Sequence, residues 1–217
     1  MVIKELTLFT NTIAKQKQFY KSILGLEQLV DSLEKISFKL GSSILTFQYN
    51  TNFKTSHMAF NIPSNAIYDA LHWLKTRTEL IENEGELITN FPDWKAKSIY
   101  FYDANNNILE FIAREDLDFE SDFAFSANTI VSISEVGIAT NDIQKLYQEI
   151  NSIKPISIFD GDFSRFCALG SHKGLFILVD KNKKTWYPTN DEAMTSDFII
   201  TGDYNFSFIN HEIKELL

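Results

Sequence analysis

Apolar and polar residues alternate along residues 2–10. Leu6 and Leu8 lie on one face, and Glu5, Thr7 and Phe9 on the other. Period two of this kind predicts a half-buried strand. The period then lengthens: Phe19, Tyr20, Ile23 and Leu24 recur at helical spacing between a candidate cap, Thr12, and a stop, Gly25. Strand patterns follow at 29–30, 36–40 and 44–49, with Gly41-Ser42-Ser43 as a turn. The first 50 residues therefore read as β-α-β-β-β.

The pattern then repeats. Residues 56–62 form a strand, Ser64 caps a helix through Ile67, Leu71 and Leu74, and weaker strands lie at 80–81 and 86–89. Residues 97–114 read as strand, turn, strand, with the turn at Asp103–Asn107 because Asn tolerates the positive φ a hairpin needs. A third unit has a strand at 130–140, a helix capped by Asn141 or Asp142, and strands at 156–159, 163–169 and 175–179. Residues 198–202 start a fourth unit, with Asn210 capping a short terminal helix. Such repetition sets the architecture. The expected fold class is α+β, built of repeated βαβββ modules in two pairs, the last module truncated. The expected division is one domain over 1–114, an acidic linker over 115–128 (Glu115, Asp116, Asp118, Glu120, Asp122), and a second region over 129–217.

Glu110 lies in the middle of the apolar run Ile108–Ala113. A carboxylate there costs free energy unless it is paired, solvated or bound to a metal. Aligning the units on their first strands puts Glu5, His57 and Glu135 at one register, with Phe198 fourth; aligning last strands puts Thr46 over Glu110. The flanking apolar residues pack on the helices, so Glu5, Thr46, His57 and Glu110 share the opposite, concave face. Glu5, His57 and Glu110 are the expected ligands of a divalent metal, with positions left open for water or substrate. Phe91-Pro92-Asp93-Trp94 is a loop that can fold over the opening, and Phe9, Thr46, Asn61, Trp94, Tyr100 and Tyr102 are candidate pocket residues. His72, His172 and His211 read as residues outside the site.

The net charge of −9 argues against nucleic acid as the main partner, since a phosphate-binding surface needs a basic excess. No apolar run approaches a membrane span and no signal-peptide layout opens the chain. The single Cys167, in an apolar run, suits a buried small residue and a reducing cytoplasm.

Three stretches carry a family resemblance: Phe19-Tyr20-Lys-Ser-Ile-Leu24-Gly25-Leu26, Ser56-His57-Met-Ala-Phe60, and Tyr102-Asp103 through Glu110-Phe111. In this order and spacing they resemble the vicinal oxygen chelate superfamily, which includes glyoxalase I, bleomycin-resistance proteins, fosfomycin-resistance enzymes and extradiol dioxygenases. The resemblance covers residues 1–114 well and 130–217 more loosely. It implies glyoxalase-like cupped sheets formed by paired modules, with His57 and Glu110 at ligand positions. Glu5 stands where many members have His or Gln, and Thr46 where glyoxalase I has a further acidic ligand. A Glu-His-Glu set departs from the two-His, one-carboxylate iron site of the dioxygenases. Manganese, nickel, zinc or iron suits it.

Two functions follow from the resemblance. The first is a metal-dependent lyase or isomerase acting on a small substrate with vicinal oxygens, with Glu5 or Glu110 as general base; a ring-cleaving dioxygenase is a less favoured variant. The second is a metal-free protein that sequesters a small molecule, as bleomycin-resistance proteins do. Either is compatible with a homodimer.

Overall fold

A computed structural model describes residues 1–216. The first unit comprises β1 (Ile3–Thr10), α1 (Ile13–Lys17, running on as a π-helical stretch over Gln18–Ile23), β2 (Gln28–Asp31), β3 (Lys35–Leu40) and β4 (Ser43–Tyr49). The second comprises β5 (His57–Ile62), α2 (Ile67–Lys75), β6 (Leu80–Ile81), β7 (Thr89–Phe91), β8 (Ala96–Tyr102) and β9 (Ile108–Arg114). The third comprises β10 (Ser132–Thr140), α3 (Ile143–Ile153), β11 (Ile158–Gly161), β12 (Phe166–Ser171) and β13 (Gly174–Asp180). The fourth consists of β14 (Phe198–Gly202), β15 (Phe206–Ile209) and β16 (Glu212–Glu215). The fold is α+β with repeated βαβββ modules, as the hydrophobic pattern predicts.

Asp142 caps α3, its carboxylate accepting from the Lys145 amide at 2.9 Å. Thr12 holds the N-cap position of α1 without a side-chain cap hydrogen bond, whereas α2 is capped at Ala66 and not at Ser64. The Thr12 hydroxyl meets Asn105, and the Ser64 hydroxyl donates to the Phe119 carbonyl. Asn210 opens no helix: Asn210 and His211 both take positive φ in a tight turn, and the chain returns as β16.

The pairing of modules departs from the expected division. One sheet runs β16-β15-β14-β1-β4-β3-β2; the other runs β11-β12-β13-β10-β5-β9-β8-β6, with β7 also on β8. The first strands pair antiparallel, β1 with β14 and β5 with β10. The first unit thus joins the fourth, and the second joins the third, so neither sheet matches a 1–114 or a 129–217 domain. The 115–128 stretch does not act as a spacer. Phe119 and Ser121 carbonyls take hydrogen bonds from Ser64 and Asn65 at the start of α2. Phe125 is buried against Trp73 and Phe111, ring centroids 5.4 and 5.5 Å away. Docked in this way, the stretch turns back along the second unit and delivers β10 to the free edge of β5.

A single apolar core joins both sheets to the helices. It takes Leu6, Leu8, Leu45 and Phe47 from one sheet and Phe60, Leu109, Phe111, Val136 and Phe176 from the other. Two polar junctions also link the sheets. The β3–β4 turn bonds to the start of β10: the Ser42 amide donates to the Val131 carbonyl, and the Ser43 hydroxyl lies between the Ile3 carbonyl and the Ile133 amide. Gly41 at this turn has φ +60°, and a Cβ there would sit 2.0 Å from the Val131 carbonyl oxygen. At the opposite junction, the buried carboxylate of Asp103, in the β8–β9 turn, accepts from Gln16 at 2.7 Å, Tyr20 at 3.0 Å and Asn107 at 2.8 Å. Burial raises the Asp103 pKa, and these donors work against that rise.

Candidate metal centre

The site is built on the three central strands of the nine-stranded sheet, β10, β5 and β9. In register, Ala59 lies opposite Glu110 on one side and opposite Glu135 on the other. His57 is two residues before Ala59 and so shares its face. Because Ala59 has only a methyl group, the two flanking carboxylates can lean inward above it. The His57 Nε2 atom lies 3.6 Å from a Glu110 oxygen and 3.7 Å from a Glu135 oxygen. One donor atom from each of the three residues falls within 4.8 Å of the other two. All three side chains are buried.

Each carboxylate is held by its other oxygen. Ser98 on β8 donates to Glu110 Oε1 at 2.5 Å. Arg114, at the end of β9 and fully buried, donates Nη2 to Glu135 Oε1. Its guanidinium lies 5.4 Å from the centroid of the Trp94 ring. The free oxygens, Glu110 Oε2 and Glu135 Oε2, are therefore the ones turned to His57.

Two buried carboxylates close together resist ionisation. Burial, followed by the charge of Glu135, pushes Glu110 up to about 7. Burial pulls the His57 imidazole down, but Glu135 and Glu110 outweigh it and hold its pKa above the ordinary value. Arg114 and the raised imidazole offset the carboxylate charge, and loss of the His57 and Glu110 protons frees one nitrogen and two oxygen donors for a cation. One nitrogen and two oxygen donors converging on such a spot fit a divalent cation of the manganese–iron–nickel–zinc group. Among the described residues His57 Nδ1 has no hydrogen-bond partner.

Above this floor lies a cavity of about 330 Å³, within the usual size range of small-molecule sites. Its walls are aromatic: Phe91, Trp94, Tyr100, Phe166, Trp186 and Tyr187. Trp186 comes from the long connection between β13 and β14, and its ring lies 5.6 Å from His57. Gly137 on β10 makes room for it: a Cβ there would stand 2.7 Å from the Trp186 ring and 3.0 Å from the His57 Cβ.

The structure brings His57 and Glu110 together, as expected, but not Glu5. Glu5 lies on β1 in the seven-stranded sheet, where Thr46 donates to it at 2.8 Å and Ser37 meets Thr46. Glu135 occupies the place expected for Glu5. The reason is the module pairing: with β5 against β10, the third unit supplies the second first-strand residue. In the seven-stranded sheet the register position matching Glu135 is Ile199, opposite Thr7, so Glu5 has no matching acid at this position. Among the expected pocket residues, Trp94 and Tyr100 line the cavity. Phe9 and Thr46 belong to the other sheet. Asn61 is buried and donates to Ser132. Tyr102 lies outside the cavity and donates to Asp191 at 2.7 Å. Sequence reasoning missed Arg114, Ser98 and Trp186. Glu135 alone had a signal, its register with His57.

No protein-family model matches the chain. The metallothiol transferase FosB of Staphylococcus haemolyticus is 33% identical over 116 residues, half of this chain and 80% of that protein. FosB of Staphylococcus epidermidis is 32% identical over the same shares. A candidate dioxygenase from Bacillus subtilis has a similar fold, with a TM-score of 0.56 and 16% identity, covering 82% of this chain and 63% of that one. No helix among the described residues is long and apolar enough to cross a membrane. A relative matched over four-fifths of its length, on a fold of paired βαβββ modules, places this chain in the vicinal oxygen chelate superfamily.

Proposed function

We propose that the protein is a metal-dependent enzyme of the lyase, isomerase or transferase type, acting on a small molecule with vicinal oxygens, with His57, Glu110 and Glu135 as the ligands. The observation that carries this reading is the convergence of three buried donors above Ala59. The relatives are named metallothiol transferases, which supports a metal and admits group transfer. A bound divalent ion supplies Lewis acidity to a substrate oxygen.

The remaining work falls to the chain's own residues. The aromatic walls lower the polarity around the floor, which strengthens charge interactions there. Arg114 and Ser98 fix the carboxylates in place. Glu110, tethered through Ser98 and not by a guanidinium, is the carboxylate suited to leave the metal and accept a proton. Glu135, paired with a guanidinium, is held to a ligand's role.

Metal analysis of protein purified without chelator, repeated for His57→Ala, Glu110→Ala and Glu135→Ala, tests the reading. Stoichiometric metal in the parent and its loss in each variant are expected. A parent that takes up no manganese, nickel, zinc or iron overturns it. A second reading, a metal-free binding protein, draws on the Arg114–Glu135 pair, which already neutralises one carboxylate. It predicts ligand binding with no metal.

A further inference from the structure

We propose that the cavity selects a flat aromatic acid, with Lys184 as the residue that recognises its charge. The proposal deepens the functional reading by naming a substrate class, but it rests on features that need no metal. Lys184 lies on the connection between β13 and β14, two residues before Trp186, and lines the same cavity. It is half-buried, with its ammonium 4.4 Å from the centroid of the Phe166 ring. The neighbouring Lys183 pairs with Asp180, whereas Lys184 makes no ion pair among the described residues. The lining carboxylate of Asp160 is already engaged, accepting from Trp94 Nε1 at 2.7 Å and from the Gly161 amide. A half-desolvated cation on an aromatic wall, without a carboxylate partner, is under-compensated and gains from an anion brought by a ligand.

The walls fix the shape of the rest. Phe166 lies nearly parallel to Trp94, with centroids 6.4 Å apart; Phe91 lies 6.2 Å from Trp94 and 5.8 Å from Tyr187. Tyr187 in turn lies 5.8 Å from Tyr100. Rings at these spacings form walls that take another ring by stacking and edge contacts. Glu110 and Glu135 lie on the floor beside His57, and Lys184 lies on the Phe166 wall, where the Asp160 carboxylate is held by Trp94 and the Gly161 amide. In metal-free protein a bound acid has Lys184 as the unpaired cation on the aromatic wall.

The experiment uses metal-free protein and isothermal titration calorimetry with three probes. These are 2-naphthoate (ring and charge), 2-naphthalenemethanol (the same ring without charge) and acetate (charge without ring). Naphthoate is expected to bind at least ~5-fold more tightly than the alcohol, and acetate not at all. Lys184→Met is expected to bring naphthoate to the level of the alcohol while leaving the alcohol unchanged, and Lys184→Arg to restore the difference. Equal binding of naphthoate and the alcohol to the parent, an unchanged ratio in Lys184→Met, or acetate binding as well as naphthoate overturns the proposal. Circular dichroism of each variant separates misfolding from lost recognition. Because no metal is present, these outcomes are independent of the metal analysis.

Discussion

Glu110 and Glu135 face each other across Ala59, one from each neighbouring strand, and Ala59 is the residue whose size decides whether they meet. Ala59→Leu fills the space into which both carboxylates lean. Overpacking here costs about 1–3 kcal/mol, which leaves a folded protein. The expected outcome is loss of metal uptake, measured by equilibrium dialysis, with a cooperative thermal transition retained. Full metal uptake by Ala59→Leu would place the ion elsewhere.

The titration of the floor predicts how stability follows pH. Glu110 is raised from 4.5 to about 7 in the folded state, so the folded protein holds that proton more tightly than the unfolded chain. The resulting stabilisation is present at low pH and is lost as pH rises through about 7. His57 is also raised in the folded state. Its contribution is full below the unfolded value of 6.5 and is lost as pH rises through its higher folded value. Both groups act in one direction, with the Glu110 part on the order of 3 kcal/mol. Metal-free protein is therefore expected to lose stability as pH rises from about 4.5 through about 7. Metal-loaded protein should show the opposite trend, because all three ligands bind metal only when deprotonated. Urea unfolding at several pH values, with and without metal, reads both slopes.

Gly137 gives Trp186 its place beside His57. Gly137→Ala pushes the indole away from the imidazole and opens that wall of the cavity. A shift in tryptophan emission and a several-fold weaker binding of 2-naphthoate are expected. The change in stability should stay near the ~1–3 kcal/mol of a small-to-large substitution. Unaltered emission would mean that the ring does not rest on Gly137.

Asp103 offers a control remote from the metal ligands. Its carboxylate serves Gln16, Tyr20 and Asn107 together with the Asn105 and Asn107 amides. Asp103→Ala strands several buried donors, each worth roughly 1–3 kcal/mol when left unmade. A loss of about 3–5 kcal/mol in chemical denaturation is expected, with metal stoichiometry unchanged in the folded fraction. A loss below about 1 kcal/mol would show that water replaces the carboxylate.

The repeat was legible in the sequence because strand and helix periods are local. Leu6 and Leu8 alternate within one strand, and Ile143, Leu146 and Ile150 recur within one helix. Which repeat pairs with which is a long-range property, carried by the docking of Phe119, Ser121 and Phe125 onto α2, and no period reports it. For that reason His57 and Glu110 could be read together, being parallel neighbours within one unit, whereas Glu5 was matched in place of Glu135. Arg114 escaped notice because a charged residue at a strand end ordinarily faces water, and Trp186 because its connection has neither period.

The exchange of partners between modules also sets an order of assembly. The inner pair, β5 through β13, is contiguous in the chain, so its sheet can close while later residues are still being synthesised. The outer pair joins β1 to β14, strands separated by nearly the whole chain. Until β14 emerges, β1 keeps one edge unpaired, and an unpaired edge is a template for aggregation. Sequence separation of this kind slows folding. The candidate metal centre lies entirely in the inner pair, so its ligands can come together before the outer sheet is complete.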